Sequence, residues 1–298
     1  MTFGSPELQH IRDTWRCPSC HEILTDEESS VRCDHCQVSY GFVSDVLALC
    51  RPELLAYAQK AENDDQENRF KNWFKQWPHF YLFCVRVITP VLFSGLTVKR
   101  FLKRFPQDGT KKLLNVGSGP TRFHADVVNV DLFPFVHVDV LADAARLPFA
   151  DGTFDVVCSE QVIEHVPDGK AMAQELLRVT KPGGLVYLAA PFMYPLHPSP
   201  KDYTRWTVDG YLAVLEPAVL VEKGVLAGPT SGFLSITANW LAIIFSFGVR
   251  PLRKVLHYGF MIVLSPVKLL DYLYANLPGS EDIAKAMYVV VQKKPSSN

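Results

Sequence analysis

The chain has 298 residues, a length that suits one large domain or two smaller ones. Hydrophobic residues make up 48% and charged residues 20%, so there is enough apolar material for a sizeable core and a disordered chain is excluded. Acidic and basic residues nearly cancel, 31 against 30, whereas a nucleic-acid-binding chain would show a surplus of Lys and Arg; nucleic acid is the least favoured partner.

No apolar run follows Met1, so no secretory signal peptide is expected. Four of the seven cysteines form two tight pairs, Cys17-Pro18-Ser19-Cys20 and Cys33-Asp34-His35-Cys36, with twelve residues between them. Tetrahedral zinc needs four thiolates converging from two tight turns, and two such knuckles on short hairpins supply them. Residues 10–50 therefore read as a zinc ribbon with Cys17, Cys20, Cys33 and Cys36 as ligands and His21 and His35 as surplus neighbours. Paired spacing of this kind points to a reduced compartment, here the cytoplasm. A module of about 40 residues buries little core and uses metal as a staple. Such a ribbon could also recognise RNA or protein, although only Arg12, Arg16 and Arg32 supply positive charge in it.

Residues 51–110 read as a helical connector, polar and acidic from Glu53 to Lys75 and aromatic from Trp73 to Leu102. Beyond it, β-type runs at Lys112–Val116, Val127–Val130, Phe154–Cys158 and Leu185–Ala189 alternate with helical patterns, and Met287–Gln292 reads as a final strand. A helix fits Gly169–Thr180, stopped by Lys181-Pro182-Gly183-Gly184. Strand–helix–strand alternation implies a parallel sheet covered by helices.

The first of these runs flows into Val116-Gly117-Ser118-Gly119-Pro120, a turn whose glycines permit positive φ and close approach of backbone to a ligand. The second ends at Asp131, placed to accept both hydroxyls of a ribose. Asp143-Ala144 follows a third strand, where an acid can accept a hydrogen bond from an adenine amino group. Asn115-Val116-Gly117-Ser118-Gly119, Asp131, Asp143-Ala144, Phe154–Ser159, Val162-Ile163-Glu164-His165-Val166 and Glu175–Gly184 together resemble, in order, the type-11 family of class I methyltransferases. The resemblance implies an α/β, Rossmann-like methyltransferase sheet with helices on both faces, with S-adenosylmethionine held by Asn115, Gly117, Ser118, Gly119, Asp131, Asp143 and Ala144. Two positions depart from the family pattern: Asn115 stands where an acid is usual, and Pro120 where a third glycine is usual. Gly119 and Asp131 are twelve positions apart, so the first helix must shrink to a turn. That spacing, together with the Asp143-Ala144 and Lys-Pro-Gly-Gly elements, argues against a nicotinamide dehydrogenase.

A methyl group on a sulfonium is already activated, so the protein must place an acceptor in line and exclude water; a general base is needed only for a protonated nucleophile. The segment Pro191–Thr207 gathers His, Asp, Tyr, Arg and Trp after a strand end, and His197 and Tyr203 are the candidate catalytic residues. His165 reads as structural. Residues 225–286 form an apolar insertion before the last strand, uncharged from Val225 to Val249 and followed by Arg250, Arg253 and Lys254. Three arrangements suit it: a buried helical cap over the substrate pocket, a helix lying on a membrane surface, or a span, which its length barely permits. The expected activity is methyl transfer to a small or lipid-linked acceptor, with peripheral membrane contact as a possible setting. A non-catalytic zinc-ribbon binding protein with a degenerate methyltransferase fold is the alternative, as is an RNA or protein methyltransferase that uses the ribbon for recognition.

Overall fold

A computed structural model describes residues 11–64, 87, 89–197 and 201–295. The aromatic part of the expected connector, from Trp73 to Arg86, lies outside the described residues, as do Pro198, Ser199 and Pro200 of the proline-rich segment.

The cysteine knuckles sit on a small antiparallel sheet of β1 (Thr25–Asp26), β2 (Val31–Cys33) and β3 (Val38–Tyr40). The body is a nine-stranded sheet built from β4 (Phe42–Val43), β5 (Val46–Leu49), β6 (Leu113–Val116), β7 (Val127–Asp131), β8 (Val140–Ala142), β9 (Phe154–Glu160), β10 (Thr180–Pro191), β11 (Val219–Ala227) and β12 (Ala286–Gln292). Their order is β11-β12-β10-β9-β6-β7-β8-β5-β4. From β5 to β10 the neighbours run parallel, and β12 runs antiparallel between β10 and β11. Parallel strands are buried on both faces and so read as near-continuous apolar runs. Leu114, Val128, Val157 and Leu188 face one core; Leu113, Val127, Val156 and Tyr187 face the other.

A helix, α1 (Pro52–Asp64), follows the ribbon, and α2 (Val98–Leu102) covers the second face through Val98, Phe101 and Leu102. The first face is covered by α3 (Gly169–Val179) and α4 (Val208–Val214). On α3, Met172, Ala173, Leu176, Leu177 and Val179 form one buried stripe at helical spacing, and the Asp168 side chain caps its start by accepting from Ala171 N at 2.9 Å. Arg178 of α3 pins the segment before β9: it donates to the carbonyls of Phe149 (2.6 Å) and Leu147 (2.9 Å) and to Glu175 and Asp151. No helix separates β6 from β7, as the short spacing requires. The Lys181–Gly184 stop does not end in a loop. It is an irregularity inside β10, where the register against β9 shifts between Thr180 and Leu185.

The ribbon does not stand apart from the sheet. β5 pairs in parallel with β8, Leu47 opposite Val140, and so covers backbone groups that β8 would otherwise expose as an edge. Arg16 N donates to Pro148 O (2.9 Å) and Ala150 N to Thr14 O (2.7 Å), either side of a bridge between Trp15 and Phe149. Ile11, Trp15, Cys17 and Cys33 belong to the same apolar cluster as Leu147 and Phe149.

The apolar insertion folds as α5 (Pro229–Phe245), α6 (Arg250–Leu264), a 3-10 stretch Ser265–Leu270, α7 (Asp271–Tyr274) and a 3-10 turn Ser280–Ile283. Asp271 caps α5 from outside, accepting from Thr230 N and Ser231 N, both at 2.9 Å. The arrangement differs from a buried cap. α5 buries a narrow stripe of mostly small residues (Ser231, Gly232, Leu234, Ser235, Ala238, Ala242), and α6 buries none. Large apolar side chains point outward instead, with Phe247 86%, Val255 69% and Val263 72% exposed. Among the described residues, no helix is long and apolar enough to cross a membrane.

Candidate functional site

A cleft of about 480 Å³ opens at the carboxyl ends of β6, β7 and β8, the edge where open α/β sheets bind ligands. Gly117, Gly119, Asp131, Asp143 and Ala144 line it. Gly117 has φ +72°, and a Cβ built on it would lie 2.1 Å from Val162 Cγ2, so both the backbone and the available space demand glycine. The N–H groups of Gly117 and Ser118 donate to Val130 O at 2.7 and 3.1 Å, folding the turn onto the end of β7. Asp131 then clamps it: Oδ2 accepts from Gly119 N (2.9 Å) and Oδ1 from Phe133 N (3.0 Å). Asp143 is held by Ala145 N at 2.9 Å and lies 3.5 Å from the Arg51 guanidinium. Leu54 and Tyr57 of α1 close one side, so residues just after the ribbon take part in the cleft.

Of the remaining cofactor and catalytic candidates read from the sequence, Tyr203 lies in the cleft lining and Asn115, Ser118 and His197 do not. Asn115 is 3% exposed and sits beneath the cleft, where its Nδ2 donates to Asn129 Oδ1 at 3.4 Å and its Oδ1 faces Cys158 Sγ at 3.6 Å. Its amide therefore joins neighbouring strands. Ser118 is buried and directs its hydroxyl to Gly119 O (3.3 Å). Tyr203 lines the cleft, with its backbone N–H tied to Glu164 O at 2.7 Å. His197 does not line it. It opens into a narrow crevice of about 110 Å³ shared with Tyr194, Leu196, Asn239, His257 and Met261, between the Pro191–Thr207 segment and the α5–α6 pair.

Between cleft and crevice stands a group that sequence reasoning did not assemble. His165, read from the sequence as structural, lines the cleft. Its Nε2 is 3.7 Å from Glu164 Oε1, and His197 Nε2 is 3.8 Å from the same oxygen. The two imidazoles meet edge to face with centroids 5.1 Å apart. Glu164 is 0% exposed, and neither of its carboxylate oxygens has a hydrogen-bond partner. Behind His197 lies Asp202, whose Oδ2 accepts from the His197 backbone N–H (3.0 Å) and from Arg205 Nη2 (2.6 Å). Burial opposes ionisation of Asp202, but Arg205 and the His197 amide overcome it and draw its carboxyl down to about 2. Glu164-His165 was visible as a family segment. Nothing local showed that His197, more than thirty residues later, would fold back onto it.

The four ribbon cysteines converge, with Cys17 Sγ 3.9 Å from Cys36 Sγ and Cys20 Sγ 3.5 Å from Cys33 Sγ. Thiolates at about 2.3 Å around tetrahedral zinc are about 3.8 Å apart, so the set fits that ion. The N–H groups of Ser19 and Cys36 point at Cys17 and Cys33 sulfurs, both at 3.4 Å, as knuckle turns provide.

Residues 114–188 match a family model described as a methyltransferase domain, the type-11 model. An uncharacterized methyltransferase of Mycobacterium sp. (strain KMS) is 40% identical over 27% of this chain and 39% of its own length. A 2-methyl-6-phytyl-1,4-hydroquinone methyltransferase of Synechocystis sp. is 53% identical over 39% of this chain and 41% of that protein. The chain thus spans about two fifths of the length of these curated relatives. A solved phosphoethanolamine N-methyltransferase of Haemonchus contortus in complex with S-adenosyl-L-methionine aligns with TM-score 0.40 and 17% identity, over 65% of this chain and 51% of that one.

Proposed function

Because residues 114–188 match the type-11 methyltransferase model, we propose that this chain transfers a methyl group from S-adenosylmethionine to the oxygen or nitrogen of a small or lipid-linked acceptor. The observation that carries this reading is the placement of the Gly117–Gly119 turn, Asp131 and Asp143 at the ends of three neighbouring parallel strands, around one cleft. When bound, S-adenosylmethionine supplies a methyl group already activated by its sulfonium, so binding, orientation and exclusion of water are what this chain contributes. Gly117 and Gly119 give the ligand close approach to backbone. Asp131 accepts the ribose hydroxyls, and Asp143 with Ala144 meets the adenine. Asn115 and Ser118, read from the sequence as cofactor contacts, act from beneath by shaping the turn. Tyr203 and His165 face the cleft and bound the acceptor's position, and His197 positions His165 from behind. Zinc at Cys17, Cys20, Cys33 and Cys36 has a structural task.

The test is calorimetric titration of S-adenosylmethionine and S-adenosylhomocysteine into wild type and Asp131→Ala. Losing charge-assisted hydrogen bonds should weaken affinity by about tenfold or more. A folded, zinc-loaded wild type that takes up neither ligand would refute the reading.

The lipid-linked class of acceptor is favoured by the outward apolar faces of α5 and α6, with Arg250, Arg253 and Lys254 beside them. An apolar face rimmed by basic residues suits the boundary of an anionic bilayer. The Synechocystis relative is named for a hydroquinone that carries a phytyl tail, a molecule of that lipid-linked class. The protein should float with vesicles of phosphatidylcholine and phosphatidylglycerol and do so less at high salt. Protein left wholly at the bottom of the gradient would remove the membrane-surface setting.

A further inference from the structure

We propose that Glu164, His165 and His197 form a binding site for a divalent transition-metal cation, set in the wall between the cofactor cleft and the crevice under α5. Glu164 carries the first part of the case. A fully buried carboxylate with no hydrogen bond to either oxygen is costly unless an ion or proton compensates it. The nearby cations do not bond to it. Arg205 is engaged by both oxygens of Asp202, and Lys285 Nζ donates to Gln161 Oε1 (3.2 Å) while lying 4.4 Å from the Tyr194 ring centre.

The orientation of the two imidazoles supplies the second part. His165 Nδ1 is hydrogen-bonded to the Lys201 carbonyl. A carbonyl only accepts, so Nδ1 bears the proton and the Nε2 lone pair faces Glu164. His197 Nδ1 lies 3.1 Å from Asp202 Oδ2 without hydrogen-bonding to it, and its Nε2 faces the same Glu164 oxygen. Backing of the outer ring nitrogen by a carbonyl, as at His165, is how metal-ligating histidines are held. Two imidazole nitrogens and a carboxylate then converge, all three ligand atoms within 4.8 Å of one another. The separations of 3.7 and 3.8 Å are too long for direct imidazole–carboxylate hydrogen bonds. Ligands about 2.1 Å from a shared ion stand about 3.0–3.4 Å apart, so the three groups must draw together from within 4.8 Å to complete the site.

Two imidazoles and one carboxylate suit first-row divalent ions such as manganese, iron, cobalt or zinc better than magnesium or calcium. Three protein ligands leave coordination positions open, and His165 places them toward the cleft. There an oxygen of the acceptor can complete the shell. That last step rests on the methyl-transfer reading above; the metal site itself does not.

The experiment uses the full chain loaded with one equivalent of zinc for the four cysteines. Mn²⁺ is titrated in, and the loss of the free-ion paramagnetic resonance signal counts bound metal. One Mn²⁺ per chain is expected, with affinity falling by about a hundredfold in Glu164→Gln and in His197→Ala. Thermal unfolding of each variant reports whether it is folded. No uptake by wild type overturns the proposal, and so does uptake that the folded variants leave unchanged, because proton sharing or water then accounts for Glu164. Separate titration with S-adenosylmethionine keeps the two readings distinct: wild type that binds the cofactor but not Mn²⁺ loses only the metal site, and the reverse result loses only the cofactor reading.

Discussion

Gly117→Ala should lower affinity for S-adenosylmethionine by roughly a hundredfold, whereas Gly119→Ala should lower it about fivefold. Both glycines have positive φ, +72° and +59°, so alanine at either meets the same left-handed backbone strain, about 1 kcal/mol. They differ in what the added carbon meets. At Gly119 nothing lies within 4 Å, but at Gly117 the new Cβ falls 2.1 Å from Val162 Cγ2. Overpacking of that kind costs about 1–3 kcal/mol, and the total of about 3 kcal/mol corresponds to a hundredfold. Val162 precedes the 3-10 turn Ile163–His165, so the valine cannot retreat without moving Glu164 and His165. Calorimetric titration of the two variants side by side decides the matter. Equal losses would mean that backbone strain alone, and not the contact with Val162, sets the turn.

Stripping the metal from the four cysteines should disable the cofactor cleft together with the ribbon. Structural zinc is worth about 10–16 kcal/mol to a small cysteine module, as much as or more than the roughly 5–15 kcal/mol that holds a whole domain. Residues 11–40 would lose their fold, and three supports of the cleft go with them. β5 leaves the edge of β8, the strand that leads into Asp143. Arg51 no longer steadies Asp143 at 3.5 Å, and Arg146 loses the Ser19 carbonyl at 3.4 Å. Leu54 and Tyr57 withdraw from the cleft wall. The measurement pairs metal content with thermal unfolding and S-adenosylmethionine titration after chelation, and repeats both for Cys33→Ser. A lower unfolding temperature and weaker cofactor binding are expected in both samples. Unchanged values in zinc-free protein would show that the ribbon and the cleft are energetically independent despite their shared core.

Much of this organisation was determined by local chemistry and was therefore legible in the chain. Strands β6, β7, β9 and β12 read as largely apolar runs because each is mostly buried on two faces. α3 was legible as a helical pattern over Gly169–Thr180, ahead of the Lys181-Pro182-Gly183-Gly184 run. Gly117, Gly119, Asp131 and Asp143 were legible because turn geometry and strand ends depend on a few neighbouring residues. The cysteine pairs were legible because a knuckle is a four-residue turn. Tertiary structure decided what depends on distant partners. β5 looked like the end of the ribbon until Leu47 met Val140 across the sheet edge, and edge pairing leaves no mark on either segment alone. Asn115 occupied a cofactor motif position, but Asn129 on the next strand claims its amide. α5 and α6 are apolar enough to be buried, yet α5 buries only a stripe of mostly small residues and α6 buries none, so the large side chains turn outward. Glu164, His165 and His197 belong to two segments that the Tyr203–Glu164 backbone bond draws together. Their convergence is a property of loop closure over the sheet, which no residue spacing encodes.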